Sequence, residues 1–246
     1  MISLVSKAER FLRSESLRKK KSIPISKRHI KPETISPIIR GLVSTKYSYI
    51  VNFRTGKDIL EVINSQNAKK ILSKGVVTPD HVLRIKPKIL VVNIDNCKNQ
   101  DHIRRKLSIS IKNFIGNYKS YFNKFNKPKL NNIMLDPIPQ IIAIQNIGLF
   151  CIGQNKTSAV INGDIAETSI KTIGSLEKRS SFQGISMKDI FDVEYWSLEQ
   201  AKLKKQLDPM NGKVTVITGG IGTIGLAVAK KFKDKGSEVI LLDINI

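Results

Sequence analysis

The sequence predicts an α/β protein in two parts, a mixed α/β body followed by one β–α–β unit at its C-terminus. Three observations predict it. Short apolar runs of strand length, at 89–92, 141–144 and 149–152, alternate with longer stretches of helical periodicity. Pro209 and Gly212 mark a late boundary. Beyond them, two apolar runs at 214–217 and 239–242 flank an amphipathic helix.

Each element of the body has its own signal. Residues 1–20 place Leu4, Ala8, Phe11, Leu12 and Leu17 at helical spacing. Pro24 and Pro32 punctuate a loop, and Ser36-Pro37 reads as a helix start, a serine cap with proline in the first turn. Residues 49–53 alternate as a short strand, while 57–64 and 68–73 read as short helices, the second ended by Gly75. A strand at 89–92 precedes a helix at 101–122 that carries Ile103, Leu107, Ile111, Phe114, Ile115 and Tyr118. After a polar stretch, 141–144 and 149–152 form two strands around Gln145-Asn146-Ile147-Gly148. A long helix at 156–176 buries Ala159, Ile165, Ala166 and Ile170, and 178–184 reads as a polar linker. The last helix, 187–207, carries Ile190, Phe191, Tyr195, Trp196, Leu198 and Leu203 and reads as a strut with its aromatic pair in the core.

Composition bounds the function. Apolar residues, 41% of the chain, suffice for a packed core, and no apolar run reaches membrane-spanning length. The first ten residues, with Lys7, Glu9 and Arg10, lack the order of a secretory signal, and the two cysteines form no CxxC pair, so a cytoplasmic setting is expected. The net charge of +22 raises nucleic acid as a partner, but the chain is also rich in Lys, Asn and Ile together, as AT-rich genomes produce. The dense basic run is Arg18-Lys19-Lys20-Lys21, with Lys27, Arg28 and Lys31 behind it. Aromatic residues are 6% and are not interleaved with that run, which argues against a base-stacking platform. His29, His81 and His102 show neither an H-x-H nor an i, i+4 pair, so no metal site is expected. His81 follows the cap-like Thr78-Pro79-Asp80 and is left open as a lining residue of a binding surface.

The chemistry-bearing motif lies in the C-terminal unit. Residues 218–225 follow TGxxGxxG between an apolar strand and a helix, and Asp243 ends the second strand 24 residues after Gly219. Gly219 turns the chain tightly, Gly222 lets the backbone approach a pyrophosphate, and Gly225 lets the helix pack closely on the sheet. The helix start, Thr223 and Ile224 included, offers free N–H groups and a positive dipole end to phosphates. Asp243 stands where a carboxylate accepts hydrogen bonds from ribose hydroxyls and repels a 2′-phosphate, which favours NAD over NADP. The pattern is that of the first β–α–β unit of a Rossmann fold, with Gly219, Gly222, Thr223, Ile224, Gly225 and Asp243 as cofactor-binding residues.

Thr218-Gly219 opening the turn resembles the short-chain dehydrogenase/reductase family. The run Glu194-Tyr195-Trp196-Ser197-Leu198-Glu199-Gln200-Ala201-Lys202-Leu203 resembles the junction of a two-part family, a class II aldolase joined to a short-chain dehydrogenase (rhamnulose-1-phosphate aldolase/alcohol dehydrogenase-like). Three further stretches agree: Thr78-Pro79-Asp80-His81-Val82, Leu135-Asp136-Pro137-Ile138-Pro139, and Gly148-Leu149-Phe150-Cys151-Ile152-Gly153 followed by Asp164-Ile165-Ala166-Glu167. The resemblance implies an aldolase-like part over 1–185, a helical linker over 186–211 and a truncated NAD-binding start over 212–246. It also implies that the aldolase's zinc histidines lie upstream, with Ile147 where a degenerate copy of the ligand segment would carry one. The dehydrogenase's Tyr-x-x-x-Lys set is expected beyond Ile246. The expected function is therefore a fragment of an NAD-dependent oxidoreductase and aldolase acting on a sugar or sugar phosphate, with a partial NAD site, inactive alone, and completed by the other pieces of a split protein. The alternative is a non-catalytic basic interaction module or a nucleic-acid-binding protein.

Overall fold

The computed structural model describes residues 2–14, 30–127, 132–198, 201 and 208–244. Helix α1 (Ile2–Ser14) leaves Leu4, Val5 and Phe11 exposed. Leu17, the basic run at 18–28 and His29 lie outside the described residues.

The body is a four-stranded sheet between two helical layers. Its elements are α2 (Pro32–Val43), β1 (Ile50–Arg54), α3 (Lys57–Ile63), α4 (Ala68–Ile71), a 3₁₀ turn (Pro79–His81) running into α5 (Val82–Ile85), β2 (Leu90–Val92), α6 (Gln100–Phe125), β3 (Ile141–Ile144), β4 (Gly148–Gly153), α7 (Lys156–Arg179) and α8 (Met187–Glu194). Strand order is β1-β4-β3-β2, with β1 and β3 antiparallel to β4 and β2 parallel to β3.

The unbroken apolar runs of β3 and β4 arise because the sheet is covered on both faces. Ile141, Ala143, Leu149 and Cys151 point into a core shared with Ile59, Ile63, Val82, Ala166 and Ile170 of α3, α5 and α7. Their neighbours Ile142, Ile144, Phe150 and Ile152 point the other way, against Ile35 and Ile39 of α2 and Ile103, Leu107 and Ile111 of α6. Each isoleucine, leucine, valine or phenylalanine among them, taken fully from water, contributes about 1.5–3 kcal/mol. The long helices are capped as their sequences ask: Asn99 accepts from the His102 N–H at 2.9 Å and Asn155 from the Ser158 N–H at 2.8 Å.

Three local readings are corrected. Helix α2 begins at Pro32, not at Ser36-Pro37: Pro32 is in its first turn, and Pro37 lies inside the helix. Ser36 does not cap; its hydroxyl donates back to the Pro32 carbonyl at 3.0 Å. The 178–184 stretch is not a free linker, because Phe182 is buried, its N–H donates to Glu177 and Lys178 pairs with Glu61. Helix α8 ends at Glu194 with Tyr195 as its C-cap, so Tyr195 packs inside while Trp196 turns outward, 52% exposed. Within the stretch assigned to a linker, α8 itself packs on the body through Ile190 and Phe191.

The C-terminal unit comprises β5 (Val214–Thr218), α9 (Thr223–Asp234) and β6 (Glu238–Leu242), with the two strands parallel and in register from Val214↔Glu238 to Thr218↔Leu242. The second strand, read as buried, is not: Ile240 and Leu242 are exposed, as are Val214 and Val216. Parallel pairing puts these four on one face, and α9 lies on the other, over the better-covered Thr215, Ile217 and Val239.

Two contacts seat the unit on the body. Gly212 enters it at φ +73°, where a Cβ would collide with the Ser48 carbonyl. The Arg40 guanidinium donates to the Gly212 carbonyl at 2.9 Å and to the Tyr49 carbonyl at 2.8 Å. Glu238 accepts from the N–H of Lys156, at the positive end of α7, at 3.1 Å.

Candidate functional site

The glycine turn between β5 and α9 assembles every residue that sequence spacing nominated. Gly219 adopts φ +64°, a left-handed conformation that L side chains avoid. Gly225 is held tight: a Cβ there would collide with the Gly219 carbonyl. Gly222 is different. It caps α9 with ordinary angles, φ −66° and ψ 160°, and a Cβ on it would meet only the Gly219 carbonyl, at 3.4 Å. The fold itself thus makes little demand for glycine at 222, which leaves an open cradle in front of the helix start. Thr223, Ile224 and Gly225 follow in the first turn of α9, whose N–H groups have no carbonyl four residues back.

Asp243 belongs to this turn. Its carboxylate accepts from the Ile221 N–H at 3.0 Å, which fixes the acid at the end of β6 against the glycine loop. Sequence spacing placed Asp243 near the turn but could not show this bond.

The runs of the body that carry the family resemblance serve as ties between its layers. His81 Nδ1 lies 3.1 Å from the hydroxyl of buried Ser169 on α7. Asp136 accepts from the Tyr49 hydroxyl at 2.6 Å and from the Ile138 N–H at 3.3 Å. Asp164 and Glu167 both pair with Arg54 of β1, at 2.7 and 3.5 Å. Beneath them, burial pushes the Cys151 thiol up to about 12, Arg54 opposing. Among the described residues, no three His, Cys, Asp or Glu side chains stand together for a metal ion.

One polar cluster escaped sequence reasoning. Glu194, fully buried, accepts from the Tyr118 hydroxyl at 2.6 Å and the Tyr121 hydroxyl at 3.1 Å, and faces Lys86 Nζ at 3.6 Å. Tyr195 shares a 2.7 Å hydrogen bond with Tyr118, and Lys86 stacks over the Tyr118 ring. Burial raises the Glu194 pKa against the pull of Lys86 and lowers that of Lys86. Burial followed by the Glu194 charge drives Tyr118 and Tyr121 far above the usual phenol range. The i, i+3 spacing of Tyr118 and Tyr121 on α6 was readable; the distant Lys86 and Glu194 carried no local signal.

Comparison with known proteins adds the family. The profile described as aldolase class II, second domain, matches residues 31–203, which span the whole four-stranded sheet and α8. A protein of Bacillus subtilis (strain 168) named as the uncharacterized oxidoreductase YuxG is 27% identical over 258 aligned residues, covering 100% of this chain and 37% of that relative. No solved structure matches the chain. With its three-layer body falling almost entirely inside the matched region, the chain belongs to the family of class II aldolase second domains.

Proposed function

We propose that this chain is the joint of an aldolase–dehydrogenase acting on a sugar or sugar phosphate, in which the aldolase second domain is followed by the phosphate-binding start of a short-chain dehydrogenase. The observation that carries this reading is the open cradle at Gly222, a glycine that little in the protein's own packing requires. NAD fits the turn in kind. Its pyrophosphate would lie against the N–H groups of Thr223 and Ile224, and its ribose hydroxyls beside Asp243. When bound, NAD supplies hydride chemistry; this chain contributes binding and orientation of one end of it. The oxidoreductase name of the relative supports the same direction.

With one face of the β5–β6 pair bare among the described residues and little around the turn to enclose an adenine, NAD affinity of the chain alone is expected at about millimolar or weaker, worth about 4 kcal/mol or less. Gly222→Val tests the site, because the backbone angles are ordinary and a Cβ there meets only the Gly219 carbonyl at 3.4 Å, while the pyrophosphate would be blocked. Calorimetry should show NAD binding lost in this variant and weakened in Asp243→Asn, which still accepts from Ile221. Unchanged affinity in Gly222→Val would sink the assignment, as would micromolar binding that ignores both substitutions. No turnover of NAD with sugar alcohols, nor of ketose phosphates with zinc, is expected from the chain alone.

A further inference from the structure

A groove with two lobes runs along α6, and no residue of the glycine turn lines it. The first is a cavity of about 310 Å³ walled by Phe114, Tyr118, Tyr121, Phe125 and Met187. The second, about 590 Å³, is the more polar of the two, with Gln66, Asn67, Lys69, Lys70 and Asn113 around it. Lys88, Phe114 and Asn117 line both, so the lobes are continuous at a waist held by Lys88. Both volumes are of the size that small ligands occupy.

The aromatic wall is rigid. Tyr118 and Tyr121 are pinned from behind through their hydroxyls by buried Glu194, and Tyr121 sits edge-on to both Phe125 and Phe191, each with centroids at 5.6 Å. The buried Lys86–Glu194 pair, costly to desolvate, thus has a use: it fixes the rings that face the cavity. The polar lobe is bounded by the outer edge of the sheet. Because the Gln145 N–H bonds the Val92 carbonyl, parallel geometry turns the N–H and C=O of Val91 away from β3 and into the groove. Charge completes the description. Lys69, Lys70, Lys88 and Lys124 line the two lobes and, among the described residues, no carboxylate does.

We infer that this groove binds a ligand joining a planar aromatic ring to a phosphate-bearing polyol, a nucleotide in chemical class. The ring lies in the aromatic lobe, stacked on pinned side chains. Its phosphate meets Lys88 at the waist, with Lys69 and Lys70 beyond. The hydroxyls take the side-chain amides of Asn113 and Asn117 and the free backbone groups of Val91. This site shares no residue with the glycine turn, and the inference stands whether or not NAD binds there.

Backbone amide NMR of the full chain, titrated with AMP, adenosine and ribose 5-phosphate, tests it. AMP should shift Phe114, Asn117 and Tyr121 and bind at least about fivefold tighter than either part. Lys88→Gln should bring AMP down to the affinity of adenosine, and Phe114→Ala, at a half-buried position, should weaken AMP and adenosine alike by about fivefold. Gly222→Val should leave the AMP shifts at α6 unchanged, which separates this site from the turn. The inference is overturned if AMP shifts only residues 219–225, if Lys88→Gln and Phe114→Ala bind as the parent does, or if ribose 5-phosphate binds as tightly as AMP, the mark of a plain anion patch.

Discussion

The molecule contains two pairs of parallel strands with different fates. In β2–β3, Ile142 and Ile144 are fully buried. In β5–β6, the chemically similar Val216 and Ile240 are 55% and 47% exposed. Neither composition nor pairing separates them. The difference is layers: β3 is sandwiched by α2 and α6 on one side and α3 and α7 on the other, whereas β5 and β6 have α9 on one side and no cover on the other among the described residues. A parallel pair is stable in proportion to what covers both faces, not to how apolar its strands are.

That contrast can be broken most sharply at the body's buried charge. Glu194→Gln takes from buried Lys86 its ion-pair partner and should cost about 3–5 kcal/mol in urea denaturation. A cost under about 1 kcal/mol would mean that water reaches the cluster and the body is looser than its packing implies. Next come matched truncations. Ile142→Ala should cost about 2–5 kcal/mol, and Ile240→Ala within about 0.5 kcal/mol of zero, by the same measurement. Equal losses would show that the β6 face is covered in solution.

The smallest effect is a pH dependence confined to the body. Tyr49, Tyr118, Tyr121 and Tyr195 all hold their protons above the ordinary value of 10.0, burial being the first cause in each. Because the folded values are the higher, this stabilisation is fully present below pH 10.0 and is lost as pH rises through them. Stability should therefore start to fall as pH rises past about 10 and go on falling toward about 12, and Tyr118→Phe should flatten the fall. An unchanged slope in that variant would remove Tyr118 from the effect.

Much of this architecture was legible because it is local. Strands β3 and β4 announced themselves as unbroken apolar runs, and Ala159, Ala166 and Ile170 gave the buried stripe of α7 by spacing alone. The glycine turn was legible for the same reason, since Gly219, Gly222 and Gly225 act within one loop. What could not be read is what depends on distant partners. Exposure of Ile240 follows from a strand face left uncovered among the described residues, not from its own strand. At the end of α8, Glu194 turns its carboxylate inward to Lys86 and Tyr118, residues far away in the chain. Pro37 looked like a beginning because a proline tolerated inside a short helix carries the same local signature as one that starts it.

Arg40 has a consequence beyond stability. Its guanidinium belongs to α2, yet it grips the carbonyl before β1 and the carbonyl before β5 at once. The offset between the two sheets is therefore gauged by a helix that is part of neither. If α2 slides along the sheet it covers, the entry to β5 is carried with it, and the glycine loop at the far end of that strand is displaced in step. Glu238, hooked on the start of α7, restrains the neighbouring strand at the same end. The turn is thus carried on strands that are held to the body at one end, by Arg40 and by the start of α7.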